Sequence, residues 1–311
     1  MVWGFAFAAQ KQLAEIPVLT VGSIRNLLAA IFLFASIPLM DRICRTGRRL
    51  ICGKRLDFTQ KELIGGALCG TVLAIASTFQ QMGLSGDTDA GKGAFISALY
   101  VLIVPIFSLI IGKRSPLNVW VGVAVAVLGF YLLCIKNDFT VVPSDMMVLM
   151  CSVIFALHIM VIDKFSPSCD GVRMSCIQFF TAFVLTLPLS LAVDGLPDLS
   201  LIASVFPAML YYGVCSGGLA YTMQIIGQGL DGTSPAVASV ILSLESVFGV
   251  LGGMIFLGEV MSPKEYIGCA VVFVAVIISQ LDIPAIRAEI KRRRGAADNC
   301  APEVADKKHT A

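Results

Sequence analysis

The residue with the most chemistry in this chain is a carboxylate in an apolar run. Glu245 stands inside Pro235–Leu257, about 10 residues from one end and 12 from the other. An acid at mid-depth in lipid costs a few kcal/mol, so it faces a cavity or a partner. There it can carry a proton or a cation, its ionisation resisted by desolvation. The alternative is a structural acid hydrogen-bonded to a neighbouring helix. Arg25 is the one Lys or Arg within an apolar run. It can gate a path or anchor an anionic solute group; the alternative is a side chain that snorkels to the interface. At 1.5 Å per residue Arg25 lies roughly 7 Å below one surface and Glu245 roughly 18 Å below the same one. The gap of about 11 Å is at the limit of two extended side chains, so a direct ion pair is not favoured.

Other polar side chains within runs are Tyr100, Tyr211, Asn26 and His158, with Gln80, Gln81, Gln178, Tyr212, Tyr221 and Gln224. Tyr100 and Tyr211 lie well inside their runs and can line a cavity; His158 sits near a run's end. Interhelical hydrogen bonding is the alternative role for each, at about 0.6 kcal/mol per bond. Gly66-x-x-x-Gly70, Gly213-x-x-x-Gly217 and Gly249-x-x-x-Gly253 have the spacing that lets helices approach closely. Gly86 to Gly91-Lys92 has the spacing of a phosphate loop, but Gly93 replaces the Ser or Thr that holds magnesium, and no strand precedes it. No Cys-x-x-Cys or His-Glu-x-x-His occurs, so no metal or cofactor is expected.

Lipid is the solvent that must position these residues. The chain of 311 residues is 57% hydrophobic and 14% charged, with mean hydropathy +0.86, whereas a soluble domain carries about 25% charged residues. Ten runs are apolar: a short one at Val2–Gln10, then Val21–Met40, Leu63–Met82, Gly93–Gly112, Val119–Ile135, Met146–Ile162, Met174–Val193, Val205–Ile226, Pro235–Leu257 and Tyr266–Leu281. Backbone groups in lipid must pair within the segment, so runs near 20 residues are helices. Ser97, Gly112 and Gly122 recur as Ser243, Gly258 and Gly268, each 146 positions later.

The expected fold is an all-α integral membrane protein of about ten transmembrane helices in two inverted five-helix repeats. The expected units are 1–136, a connector at 137–144, a second repeat at 145–285, and a basic, disordered cytoplasmic tail at 286–311, low in aromatic residues. Five helices per unit is odd, so the second enters the bilayer upside down and a solute site falls near the midplane. If the basic 41–62 loop is cytoplasmic, the inside segments hold 18 of the 23 Lys and Arg and the outside segments four (Lys11, Lys92, Lys136 and Lys264). Both termini are then cytoplasmic.

Cys44, Cys52, Cys169 and Cys300 fall on the inside and are expected to be thiols. Met1 leads straight into Val-Trp-Gly-Phe-Ala, so no cleaved signal is expected. Trp3 aligns with Phe155, which has about ten residues of its run before it, whereas Met1 and Val2 precede Trp3. The expectation is a first helix truncated in its cytoplasmic half, with a start upstream of Met1.

Each half resembles the EamA domain of the drug/metabolite transporter superfamily. The first half has Trp3-Gly4, Pro17, Ser23-Ile-Arg25-Asn26, Leu99-Tyr100 through Pro105-Ile-Phe107, and Gly112. The second has Leu244-Glu245-Ser-Val-Phe248, Leu257-Gly258-Glu259, Ser262-Pro263 and Gly268. The order of these features across 2–282 carries the resemblance. Ser246 stands where the family often has Pro, and Lys113 where its first copy often has Glu. The resemblance implies secondary transport of a small metabolite or drug-like solute, often outward, by alternating access, with proton coupling one option. The competing reading is a membrane-embedded enzyme or flippase for a lipid-linked substrate. A bacterial inner membrane is the expected location, with a small-molecule substrate and the bilayer as partners and no nucleic acid. Monomer and homodimer stay open.

Overall fold

The computed structural model describes residues 1–45, 58–113, 115–134, 142–230, 233–258 and 263–280. Outside them lie the tail at 286–311, most of the basic loop and of the connector, Glu259, Ser262, Cys52 and Cys300.

Among the described residues the chain is helical, with no strand. The helices are α1 (Val2–Gln12), α2 (Val18–Arg45), α3 (Gln60–Ser85), α4 (Ala90–Ala98), α5 (Tyr100–Ile110), α6 (Leu117–Cys134), α7 (Pro143–Phe165) and α8 (Gly171–Val193). Then come α9 (Leu199–Ser204), α10 (Phe206–Leu210), a π-helical segment (Tyr211–Ala220), α11 (Tyr221–Gln228), α12 (Pro235–Leu242), α13 (Leu244–Leu257) and α14 (Pro263–Gln280). Several starts are written in the sequence. Thr59 and Glu62 close a reciprocal capping box on α3, Asp170 accepts the first amides of α8, and Ser234 caps α12 with Pro235 at its first position.

Six stretches are long and apolar enough to cross a membrane: Val18–Leu39, Gln60–Ser85, Ala90–Ile110, Pro143–Ser168, Gly171–Val193 and Pro235–Leu257. Leu117–Gly129 and Tyr266–Ser279 are shorter apolar helices. Large apolar side chains point outward, Phe34 being 68% exposed and Ile110 76%. Water would not tolerate so much exposed apolar surface, and lipid does.

The packing follows a regular scheme. α6 lies on α14, α2 on α8, α4 on α13 and α5 on α12. α3 packs on α7 and α8, while the π segment packs on α1 and α2; α7 meets α4 and α5, while α13 meets α1. Small residues set the closest approaches. A Cβ at Gly66 would stand 2.6 Å from that of Ile177, and one at Gly213 would stand 2.7 Å from that of Leu28. A Cβ at Gly70 would collide with the Gln178 carbonyl, and one at Gly249 with Ala94. Gly217 faces Ala29. Gly253 is buried in α13, where the contact with α1 is made instead by its neighbour Gly252, against Phe5.

Three runs that read as single spans are interrupted. Ala90–Ile110 breaks at Leu99 (φ −61°, ψ −12°) and Pro235–Leu257 at Ser243 (φ −61°, ψ −14°). At the second break the hydroxyls of Ser239, Ser243 and Ser246 bond the carbonyls of Ala236, Val240 and Ser243. Such back-bonding competes with the helix ladder and bends it. The breaks are 144 residues apart, although Gly112 and Gly258, 146 apart, both adopt left-handed φ (82° and 69°). The repeat register therefore shifts between the break and the glycine. The Val205–Ile226 run divides into α10, the π segment and α11. Gly213, Gly217 and Gly218 within it weaken the α-helix, and side chains of α2 fill the space before all three.

A buried cavity with an unpaired arginine

α1, α2, α3, α5, α7, the π segment, α11, α12 and α13 line a narrow cavity of about 40 Å³. A water needs roughly 10–15 Å³ by this measure, so the cavity holds a few waters and no metabolite. At this volume the cavity is contracted.

Arg25 enters from α2. It is 1% exposed, and its Nε and Nη1 have no hydrogen-bond partner. Three rings surround it instead: its guanidinium carbon is 4.5 Å from the Tyr212 centroid, 5.5 Å from Tyr221 and 5.7 Å from Phe179. Each cation–π contact contributes roughly 0.5–2 kcal/mol, but rings cannot satisfy N–H donors. Among the described residues Arg25 makes no salt bridge.

Glu245 enters from the start of α13, two residues past the Ser243 break. It lines the same cavity and is 8% exposed. The Tyr100 hydroxyl from α5 interacts with it electrostatically, yet that hydroxyl has no partner in hydrogen-bond geometry. His158 of α7 also lines the cavity, with Nε2 3.0 Å from Gln178 Oε1. The pairing Arg25–Glu245 is not made, in keeping with the depth argument.

Two other sequence candidates lie elsewhere. Tyr211 is outside the cavity and donates its hydroxyl to the Val2 carbonyl at 2.9 Å. Asn26 is fully buried and faces Thr186, its amide nitrogen 3.4 Å from that hydroxyl. The adjacent Tyr212 takes the place expected of Tyr211. Its hydroxyl donates to Gln10 Oε1 at 2.9 Å. An α-helical phase cannot tell the two tyrosines apart across a π segment, because i→i+5 bonding rotates the register. Trp3 was legible as a motif residue, but its place in the cavity wall was not.

The cavity's two ends differ. Toward Gln10, the Lys11 ammonium meets the carbonyls of Leu84, Gly86 and Thr88 at 3.1, 2.8 and 3.1 Å. The Thr88 hydroxyl bonds Asp145, which pairs with Lys92. The would-be phosphate loop is thus a seam joining α1, α3, α4 and α7. Lys113 and Asp163 form an ion pair at the far end of α5 and α7. No cluster of three metal-ligating side chains occurs among the described residues.

A profile of EamA-like transporters matches residues 1–135 and again 142–281. The chain belongs to the EamA-like transporter family. Family relatives include an uncharacterized transporter of Archaeoglobus fulgidus, 29% identical over 70% of this chain and 69% of that one. Protein PecM of Dickeya dadantii is 27% identical over 80% of this chain and 85% of its own. A solved crystal structure superposes with TM-score 0.66, covering 92% of this chain and 97% of that one at 15% identity, a likeness of fold. The EamA-like transporter family and the transporter-named relative make this chain an integral membrane transporter, with a small-molecule substrate and the bilayer as its partners.

Proposed function

We propose that this EamA-family protein is a secondary transporter that moves an organic anion through the Arg25 cavity by alternating access. The observation that carries the reading is the guanidinium itself. It is buried, its Nε and Nη1 have no hydrogen-bond partner among the described residues, and it faces a largely apolar cavity without a counter-carboxylate in bonding distance. A buried guanidinium with two unsatisfied donors is expensive. A carboxylate, sulfonate or phosphate on the solute supplies the missing acceptors and screens the charge.

Glu245 is the group proposed to couple transport to protons. It stands next to a helix break, where discontinuous helices of inverted-repeat carriers hold their sites. The packing scheme supports two inverted five-helix repeats at 1–136 and 145–285: exchanging α1 with α7, α2 with α8 and α3 with the π-containing run maps the contacts onto one another. The left-handed Gly112 and Gly258 support the same symmetry. Under the charge-based orientation, with cytoplasmic termini in a bacterial inner membrane, the Lys11 seam is the outer closure. Export is the proposed direction of net transport, as the family resemblance implies.

Reconstituted protein tests this. Proteoliposomes loaded with a panel of small carboxylates, sulfonates and phosphates are expected to release at least one member faster than empty-vector controls. Arg25→Gln is expected to reduce that release tenfold or more. Release of neutral solutes alone, untouched by Arg25→Gln, would refute the anion reading.

A further inference from the structure

A second, larger space adjoins the cavity. It is an apolar groove of about 590 Å³ between the start of α1, the end of the π segment, α11 and α12. Val2, Leu219, Met223, Leu230 and Ile241 give it an apolar wall. Trp3, Gln224 and Leu242 line both the groove and the central cavity, so these three side chains are the partition.

The partition is built of unequal parts. Trp3 is held: its indole Nε1 donates to the Ser216 carbonyl at 3.1 Å, and its ring packs 4.7 Å from that of Tyr221. Leu242 is the last residue of α12, immediately before the Ser243 break, so a change of angle there carries it with α12. Gln224 is 8% exposed, and its amide nitrogen is engaged by Gln228 at 3.0 Å. Its Oε1 is buried with no partner. An acceptor left empty at the junction of two spaces needs a donor, and no group among the described residues supplies one.

We propose that the groove is the entry site for the transported solute and that Trp3, opposed by Leu242, is the gate between groove and cavity. The occupant is an amphipathic organic anion. Its apolar body rests on the groove wall, a hydrogen-bond donor on it passes Gln224 Oε1, and its anionic head goes on to Arg25. This rests on the transport reading above. It adds the route, the gate and the apolar character of the solute. The opposite end is closed by the Lys11 seam, so the groove is the end from which the contracted cavity opens.

The test measures access rather than flux. Protein in nanodiscs, carrying Met223→Cys in the groove or Ala6→Cys in the cavity wall, is treated with sodium (2-sulfonatoethyl) methanethiosulfonate. Peptide mass spectrometry separates these positions from the native thiols. Met223→Cys is expected to react readily and Ala6→Cys slowly. Adding Trp3→Ala is expected to speed Ala6→Cys at least tenfold, and filling the groove with Ile241→Trp to slow it. Trp3→Phe keeps the ring beside Tyr221 and loses the bond to Ser216; it is expected to give a smaller acceleration, which keeps the test decisive if Trp3→Ala fails to fold. An Ala6→Cys rate indifferent to Trp3, or an unreactive Met223→Cys, would overturn the gate. Intact access control without solute flux would instead count against the transport reading and leave the gate standing.

Discussion

The guanidinium carbon of Arg25 lies 4.5 Å from the centre of the Tyr212 ring. The one Lys or Arg within the apolar runs is thus held by an aromatic face and, among the described residues, not by a carboxylate. Tyr212→Phe should therefore be mild, because the face remains, although the bond to Gln10 is lost. Tyr212→Leu removes the face, and at roughly 1–2 kcal/mol for a desolvated cation–π contact it should weaken anion binding several-fold. Solute affinity of both variants, by competition in proteoliposomes, checks this. Equal affinity for Leu and Phe would show that the ring does not hold Arg25.

Lys11 should behave as a latch. Lys11→Met keeps the stem and removes three bonds from an ammonium to carbonyls, where a charge-assisted bond contributes about 1.5–3 kcal/mol if buried and less where water reaches it. The expected outcome is a lower Tm and faster exchange of the amides in 84–92, read by hydrogen–deuterium exchange. Unchanged exchange in that segment would mean that the seam is held without Lys11.

Close packing predicts a contrast between two glycines. Gly66→Ala brings a Cβ to 2.6 Å from that of Ile177, whereas at Gly22 no atom lies within 4 Å. Overpacking costs about 1–3 kcal/mol, while a helical Gly→Ala in open space is neutral or stabilising. Thermal unfolding should show a lower Tm for Gly66→Ala alone. Matching Tm values would mean that α3 and α8 can move apart at little cost.

How far the sequence could be read follows from periodicity. Glu245, Arg25, Tyr100 and His158 converge on one cavity because charge or polarity within an apolar run is costly and so is visible without a structure. The breaks at Leu99 and Ser243 were not visible, since each lies inside a run whose composition does not change. The π segment hid Tyr212 behind Tyr211 by shifting the helical phase. Gln10 sits at a run end, where polar residues are common and carry little signal, and nothing in the sequence placed Gln224 or Trp3 in the cavity wall.

Cys169 offers a test outside the spans. Burial, and then the charge of Glu62, raises its thiol above the ordinary value. A raised pKa means less thiolate at a given pH, so maleimide labelling of Cys169 should lag that of a free peptide thiol near neutrality and catch up only at more alkaline pH. Labelling as fast as the free peptide at neutral pH would contradict the half-buried, acid-flanked setting.

The central claim is that solute and proton share the cavity between Arg25 and Glu245, and Glu245→Gln tests it most directly. Gln keeps shape and hydrogen bonding but cannot ionise. In proteoliposomes with an imposed pH gradient, solute flux through the variant should fall at least tenfold, and its dependence on pH should flatten. Wild-type flux with an unchanged pH profile would contradict the account and leave Glu245 a structural acid.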